Sequence, residues 1–347
     1  MQESNAILAI SSTDRYITSK LGRVNQPVSN LLEGEYNARG PYANDFSIEA
    51  PGALINGYIK KMVISQIQLQ YNVPTLIPDQ NDLLPILYEI TEDSGIYLLK
   101  YFEIPYGFYT PDALAAVTQS IMNEKLPGRG GWTVSYFGQT GLDQGFAIST
   151  QAGIQRFFLP TPAQARSPPP GSVPLTEAQI INMLKTYKTF GFTVDDSNPS
   201  IYQISWSSPQ FLYTPYIDIY SDALTNYQKL KDTDTSISRR KGLLARVYLS
   251  GTGNPQATSA LYKDASGNVI TQSESLGARP FLATYDLNSP KVIGWTPDTA
   301  VNSLDFQMRD CYGDLLFTKV NPVFPGNPVE QWNTEFQMTL LCVEQKY

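Results

Sequence analysis

The C-terminal segment constrains this chain most. From Ser303 to Arg309 the residues read Ser-Leu-Asp-Phe-Gln-Met-Arg. Leu304, Phe306 and Met308 therefore fall on one face and Ser303, Asp305, Gln307 and Arg309 on the other, the period of a half-buried strand. Asp310-Cys311-Tyr312-Gly313-Asp314 has the Gly and Asp of a tight turn, and residues 315–320 are expected to return as the partner strand of a hairpin. A Pro-rich crossing (Pro322, Pro325, Pro328) leads to residues 335–342, where Phe336, Met338, Leu340 and Cys342 face one way and Gln337 and Thr339 the other. This is antiparallel β with one packed face and one wet face.

Composition extends that reading to the whole chain. A length of 347 residues suits about two structural units, and 22 Tyr, 15 Phe, 25 Pro and 24 Gly with only 16% charged residues suit short strands joined by Pro/Gly turns. A net charge of −7 without a Lys/Arg run argues against a specific nucleic-acid partner. No histidine is present. That removes the Ser-His-Asp and Cys-His nucleophile pairs, the common zinc sites and the residue best suited to proton transfer near neutral pH. The two cysteines, Cys311 and Cys342, fit packed thiols better than a bridge. Residues 1–5 lack the basic start of a signal peptide, and no run approaches the ~18 apolar residues of a membrane span. The single Asn-x-Ser match, Asn198-Pro199-Ser200, is blocked by its Pro.

Taken in order, residues 1–50 show little periodicity and are expected to form an extended N-terminal arm. Strand alternation begins near Ile55 and is strong over residues 62–71, apart from a slip at Ser65-Gln66 that a β-bulge would explain. Residues 83–90 and 96–104 read as two more strands. The period then changes. Thr110-Pro111-Asp112 is a helix start, with Leu114, Val117 and Ile121 on one face. A hairpin follows over residues 132–137 and 146–150, then a strand over 154–159. Thr176 and Gln179 form a capping box opening a second helix, with Ile180, Met183, Leu184 and Tyr187 on one face and Gly191 as its stop. Strand-like residues 192–194 and 201–206 come next, suggesting a degenerate tandem of helix-plus-hairpin units. From Phe211 the pattern is purely β: Ile217 and Ile219 alternate with polar positions, residues 243–249 are strongly apolar, and residues 261–263 and 269–270 flank a turn. Because helix periodicity is confined to the middle, the expected organisation is a 1–50 arm, a β-domain built from 51–104 and 211–347, and an inserted α+β lobe over 105–210.

Four stretches carry a family resemblance: Gly107-Phe108-Tyr109-Thr110-Pro111-Asp112-Ala113-Leu114; Tyr216-Ile217-Asp218-Ile219-Tyr220-Ser221-Asp222-Ala223-Leu224; Leu243-Leu244-Ala245-Arg246-Val247-Tyr248-Leu249; and Asn302-Ser303-Leu304-Asp305-Phe306-Gln307-Met308-Arg309-Asp310-Cys311-Tyr312-Gly313. Together they resemble the penton (minor capsid) proteins of virophages, polinton-like viruses and related large double-stranded DNA viruses. The resemblance covers most of residues 51–347 as a succession of element types. It implies a mainly β chain with a single jelly-roll sandwich that forms homopentamers at the vertices of an icosahedral virion, assembled in the infected host cell. Its partners would be copies of itself, the major capsid protein and a host-surface receptor met through the inserted lobe. The family pattern contains no catalytic residues.

The residues themselves point the same way. Gly128-Arg129-Gly130-Gly131 lacks the Lys-Ser/Thr of a phosphate loop and reads as a turn. Asp195 with Asp196, and Asp232 with Asp234, lack the distal Glu of a calcium loop. The expectation is therefore no enzyme, no cofactor, no metal and no catalytic residue. Tyr213, Tyr216 and Tyr220 are expected on a surface buried between subunits. Two alternatives stand beside the penton reading. One is a double jelly-roll major capsid protein forming trimers, and the other is a glycan-binding or carbohydrate-active β-sandwich whose Tyr and Trp rings stack on sugars.

Overall fold

The computed structural model describes residues 5–12, 44–49, 52–55, 59–91, 94–126, 131–137, 145–150, 156–193, 199–205, 207–225, 242–249, 261–263, 269–271, 281–286, 292–294, 300–317, 319–320, 330–332 and 334–344. In chain order the elements begin β1 (Asn5–Ser11), β2 (Asp45–Glu49), β3 (Ile59–Tyr71), β4 (Leu83–Glu89), β5 (Tyr97–Glu103), α1 (Pro111–Lys125), β6 (Trp132–Phe137), β7 (Gly145–Thr150), β8 (Phe157–Phe158), α2 (Pro162–Arg166) and α3 (Glu177–Phe190). They continue β9 (Tyr202–Ile204), β10 (Tyr216–Tyr220), α4 (Asp222–Thr225), β11 (Leu243–Tyr248), β12 (Leu261–Lys263), β13 (Val269–Thr271), β14 (Phe281–Asp286) and β15 (Val292–Gly294). Last come β16 (Ser303–Arg309), β17 (Lys319–Val320), β18 (Glu330–Trp332) and β19 (Glu335–Glu344). The chain is mainly β, and the strands in its sheets pair antiparallel.

The chain divides into two compact units, one of Met1–Val73, Thr214–Thr258 and Pro280–Tyr347, the other of Pro74–Tyr213 and Ser259–Arg279. In the first, pairing runs inward from both ends of the chain. β1 pairs with β19, β2 with β16, β3 with β14 and β15, and β10 with β11. The unit is one long hairpin, its first strand against its last. Two further pairings, β19 with β3 and β16 with β10, roll that hairpin up. The result is a five-stranded sheet ordered β1-β19-β3-β14, with β15 also on β3, and a four-stranded sheet ordered β11-β10-β16-β2. Eight strand positions interlocked in this way make a jelly roll.

The alternating apolar residues are what the two sheets bury against each other. Phe46 and Phe306 from the four-stranded sheet lie 5.8 and 5.7 Å from Phe336 of the five-stranded sheet, and 5.5 Å from each other. All three rings are at most 1% exposed. Met62, Ile64, Ile67 and Leu69 of β3, Met338 and Leu340 of β19, and Ile217 and Ile219 of β10 complete the layer. The slip at Ser65 is a bulge, because β19 pairs Thr339 with Gln66 but Leu340 with Ile64, leaving Ser65 as the extra residue. Its hydroxyl donates to the Thr339 carbonyl at 3.1 Å.

In the second unit α1 and α3 cover two three-stranded sheets, β5-β4-β8 and β6-β7-β9. The expected caps are present. Thr110 accepts from the Ala113 amide, and Thr176 with Gln179 completes a capping box. Gly191 ends α3 at φ 79°, and a Cβ there would meet the Ser207 carbonyl oxygen. The core is aromatic, with Trp132 edge-on to Phe157 at 4.9 Å and Phe146 edge-on to Phe190 at 4.8 Å.

Five expectations are corrected. First, residues 1–50 are not simply an arm: β1 and β2 are strands of the two sheets. Ile7-Leu8 breaks the alternation in β1, and the alternation of β2 runs for only five residues, Asp45–Glu49, too few to stand out. Second, the lobe begins at Pro74 rather than at residue 105. β4 and β5 pair with each other and β4 with β8, so they leave the jelly roll for the lobe. Third, residues 315–320 do not form the partner strand of β16. Both edges of β16 are taken by β10 and β2, leaving one bridge, Arg309 to Leu315. Fourth, residues 192–193 are not strand, and β9 adds to the β6–β7 hairpin instead of starting a second one. Fifth, the 154–159 strand shrinks to Phe157–Phe158 among the described residues. The turns at 138–144 and 264–268 and the Pro-rich crossing lie outside the described residues.

Candidate functional site

Polar chemistry in the jelly roll collects on the outer face of the four-stranded sheet. Because β10 buries Ile217 and Ile219 inward, Tyr216, Asp218 and Tyr220 face outward, in register with Tyr248 and Arg246 of β11 and with Arg309 and Gln307 of β16. Arg246 makes two parallel bonds to Asp218, Nε to Oδ1 at 2.6 Å and Nη2 to Oδ2 at 2.9 Å. Its guanidinium also lies 4.0 Å from the centre of the Tyr216 ring, which meets Tyr248 edge-on at 5.9 Å. The bond to Asp218 holds Arg246 above its ordinary pKa, so its charge is permanent. Asp218 is 2% exposed. Both of its oxygens are engaged by Arg246, so this carboxylate acts as a structural clamp, not as a reactive acid.

The neighbouring polar groups are tied down in the same way. Arg309 donates to the Gly313 carbonyl at 2.7 Å and to Gln307 Oε1 at 2.9 Å. Asp305 accepts from the Asp222 and Ala223 amides at the start of α4. Asp310 Oδ1 accepts from the Tyr312 and Asp314 amides, which closes the turn legible in the sequence.

The outer face of the five-stranded sheet is different in kind. Val292, Val63, Leu341 and Ile7 are directly opposite one another across four strands. They form an aliphatic row on the side away from the core.

In the second unit a buried polar network joins residues 75–83 to α3. Asn182 Nδ2 donates to Asp82 Oδ1 at 2.7 Å while its own Oδ1 accepts from the Leu83 amide at 2.9 Å. Asn81 donates to the Thr75 carbonyl and to Thr189. Asp82 is 6% exposed. Burial, aided by the nearby charges of Glu103 and Asp79, raises its pKa against the lowering effect of the Asn182 hydrogen bond. The folded protein therefore holds this proton more tightly than the unfolded chain. The contribution to stability is full below the ordinary aspartate range and is lost as pH rises through the elevated folded value. Asp82→Asn keeps an acceptor for Asn182 and carries no charge. It is expected to be more stable than the parent at pH 7.5, with the difference vanishing near pH 3.5 in denaturant titrations. A variant less stable than the parent at pH 7.5 would refute this account.

Of the tyrosines expected on an intersubunit surface, Tyr213 is instead 9% exposed, receiving Lys185 Nζ at 3.0 Å and donating to Gln80 Oε1 at 3.3 Å. Tyr216 and Tyr220 are half-buried on the outer sheet face. Trp132 is 1% exposed, its ring N–H donating to the Leu126 carbonyl at 3.0 Å, so it offers no face for a sugar. Cys311 and Cys342 are not joined in a disulfide. Asp195, Asp196, Asp232, Asp234 and Gly128 to Gly130 lie outside the described residues. Among the described residues no group of three or more Cys, Asp or Glu is placed to hold a metal ion, and no helix is long and apolar enough to cross a membrane. Sequence reasoning missed Arg246–Asp218 as a pair, since the register that joins them is set by tertiary pairing. It also missed the Thr161–Gln164 capping box of α2, although its Thr-Pro-x-Gln signature is visible.

No family model matches the chain, and no curated protein matches it. Among solved structures, the crystal structure of selenomethionine-labelled mavirus penton protein is similar, with a TM-score of 0.45 and 10% identity over 99% of this chain and 100% of that one. A likeness at that level shows no family membership and assigns no residue a role.

Proposed function

We propose that this chain is a structural capsid protein, the penton subunit that forms homopentamers at icosahedral vertices. The observation that carries the reading is the single eight-position jelly roll, with the larger part of the α+β unit, Pro74–Tyr213, inserted between β3 and β10 and no second jelly roll among the described residues. A trimeric major capsid protein of the double type needs two such sandwiches, and the described sheets of the second unit have at most three strands each. The four sequence stretches that resemble penton proteins fall on α1 and its lead-in, on β10 with α4, on β11 and on β16 with its turn. Jelly-roll subunits placed side by side in a closed ring use heterologous contacts, and five-fold closure suits a vertex. In this reading the protein has no enzymatic activity, resides in the virion, and partners itself and the major capsid protein.

Native mass spectrometry is the deciding measurement. Assemblies of five 38.6 kDa chains are expected. A mass of three chains, or single chains at every concentration tested, would overturn the reading.

A further inference from the structure

We propose that the subunits of this ring join edge to edge through the five-stranded sheet, β1 of one copy pairing antiparallel with the β14–β15 edge of the next. This rests on the homopentamer reading and goes beyond it by naming the surfaces that meet.

The edges differ in chemistry. Sheet edges in soluble proteins are normally blunted by charges or Pro, because an open edge is a template for another strand. In the four-stranded sheet the edge strands follow that rule: β2 carries Asp45 and Glu49, and β11 carries Arg246. β1 does not. It reads Asn-Ala-Ile-Leu-Ala-Ile-Ser, without a charge or a Pro, and among the described residues it pairs with β19 alone. The opposite edge is Phe-Leu-Ala-Thr-Tyr-Asp in β14 and Val-Ile-Gly in β15, with Leu282 62% and Val292 57% exposed. Among the described residues no strand covers either edge of this sheet, and apart from Asp286 at the end of β14 neither edge carries the charges found on β2 and β11.

The aliphatic row points to the same junction. Its inner members, Val63 and Leu341, are half-buried, whereas its ends are open, with Ile7 72% and Val292 57% exposed. Among the described residues each end has a strand neighbour on one side only. A second copy that sets its Val292 opposite Ile7 would continue the row without a break and shield both ends.

Strand direction permits this. The two edges are the first and last of four positions, each antiparallel to the next, so β1 runs opposite to β14 and β15. Copies related by rotation about an axis along the strands keep their directions. They therefore bring β1 against β14 and β15 in antiparallel sense, joining two different edges as a closing ring requires.

The test uses full-length protein. Ile7→Lys and Val292→Lys alter side chains that the subunit leaves exposed, so the far-UV circular dichroism of each should match the parent. Each is expected to raise the concentration needed for pentamers by about tenfold or more, since a charge on an edge is the usual device against strand addition. The double variant Ile7→Cys with Val292→Cys should give, under a thiol oxidant, a ladder of up to five linked chains on a non-reducing gel, because directly opposed strand residues are within disulfide reach. Pentamers that survive both Lys variants would overturn the edge assignment and leave the penton reading standing. Ile7→Cys alone yielding linked pairs would indicate two-fold β1 to β1 pairing and also overturn it. A parent protein that forms no pentamer would sink the penton reading itself.

Discussion

Phe336→Ala is expected to cost the jelly roll about 3–5 kcal/mol, a large fraction of the 5–15 kcal/mol that holds a typical domain. Phe336 is the only aromatic ring that the five-stranded sheet places against Phe46 and Phe306, at 5.8 and 5.7 Å among the described residues, and it is 1% exposed. Truncation leaves a cavity between two sheets. Those sheets cannot close over it, because β19 is hydrogen-bonded on both sides, to β1 and to β3. Phe336→Leu fills most of that volume and is expected to lose less than half as much. The check is the urea midpoint at constant slope. A loss below about 1 kcal/mol for the alanine variant would mean that the two sheets are not held together by this cluster.

Arg246→Ala should be the costliest polar change in the jelly roll, at about 3 kcal/mol, because breaking a buried pair leaves an uncompensated charge. The side chains of Asp218 and Arg246 are 3% and 26% exposed, so the carboxylate that remains would lose its bidentate cation where little water reaches it. The substitution also removes the guanidinium from the Tyr216 ring. Two controls separate these effects. Arg246→Lys keeps the charge but loses the bidentate geometry, and should recover only part of the loss. Arg246→Ala with Asp218→Asn removes both charges, and should be more stable than Arg246→Ala alone. Equal stability of the single and double variants in urea titrations would remove the buried charge from the explanation.

Much of the fold was legible because its signals are local. Thr110 before Pro111, Thr176 three residues before Gln179, and Gly191 at positive φ mark helix ends by bonds that span only a few residues. The turn closed by Asp310 and the bulge at Ser65 are local in the same sense, the first a short loop and the second a slip in alternation. The edge row was not legible. Ile7 and Val292 are 285 positions apart in the numbering and become the two ends of one row only through the β1–β19–β3–β15 pairing.

What the sequence by itself determined is the type of most elements from β3 onward and which face of the alternating ones is apolar, while β1, β2 and α2 escaped it. Tertiary structure alone decided which strand lies beside which. Alternation reports that a strand has one face to bury, but it is silent on the sheet that will cover it. β4 reads Leu-Leu-Pro-Ile-Leu-Tyr-Glu, an apolar run that marks a strand buried on both faces without naming its sheet, and it joins β5 and β8 in the lobe, where α3 packs on β4 and supplies Asn182 to the Leu83 amide. β16 carries the clearest pattern in the chain and still takes its partners from β10 and β2, more than 80 and 250 residues away, because a jelly roll pairs its first strands with its last.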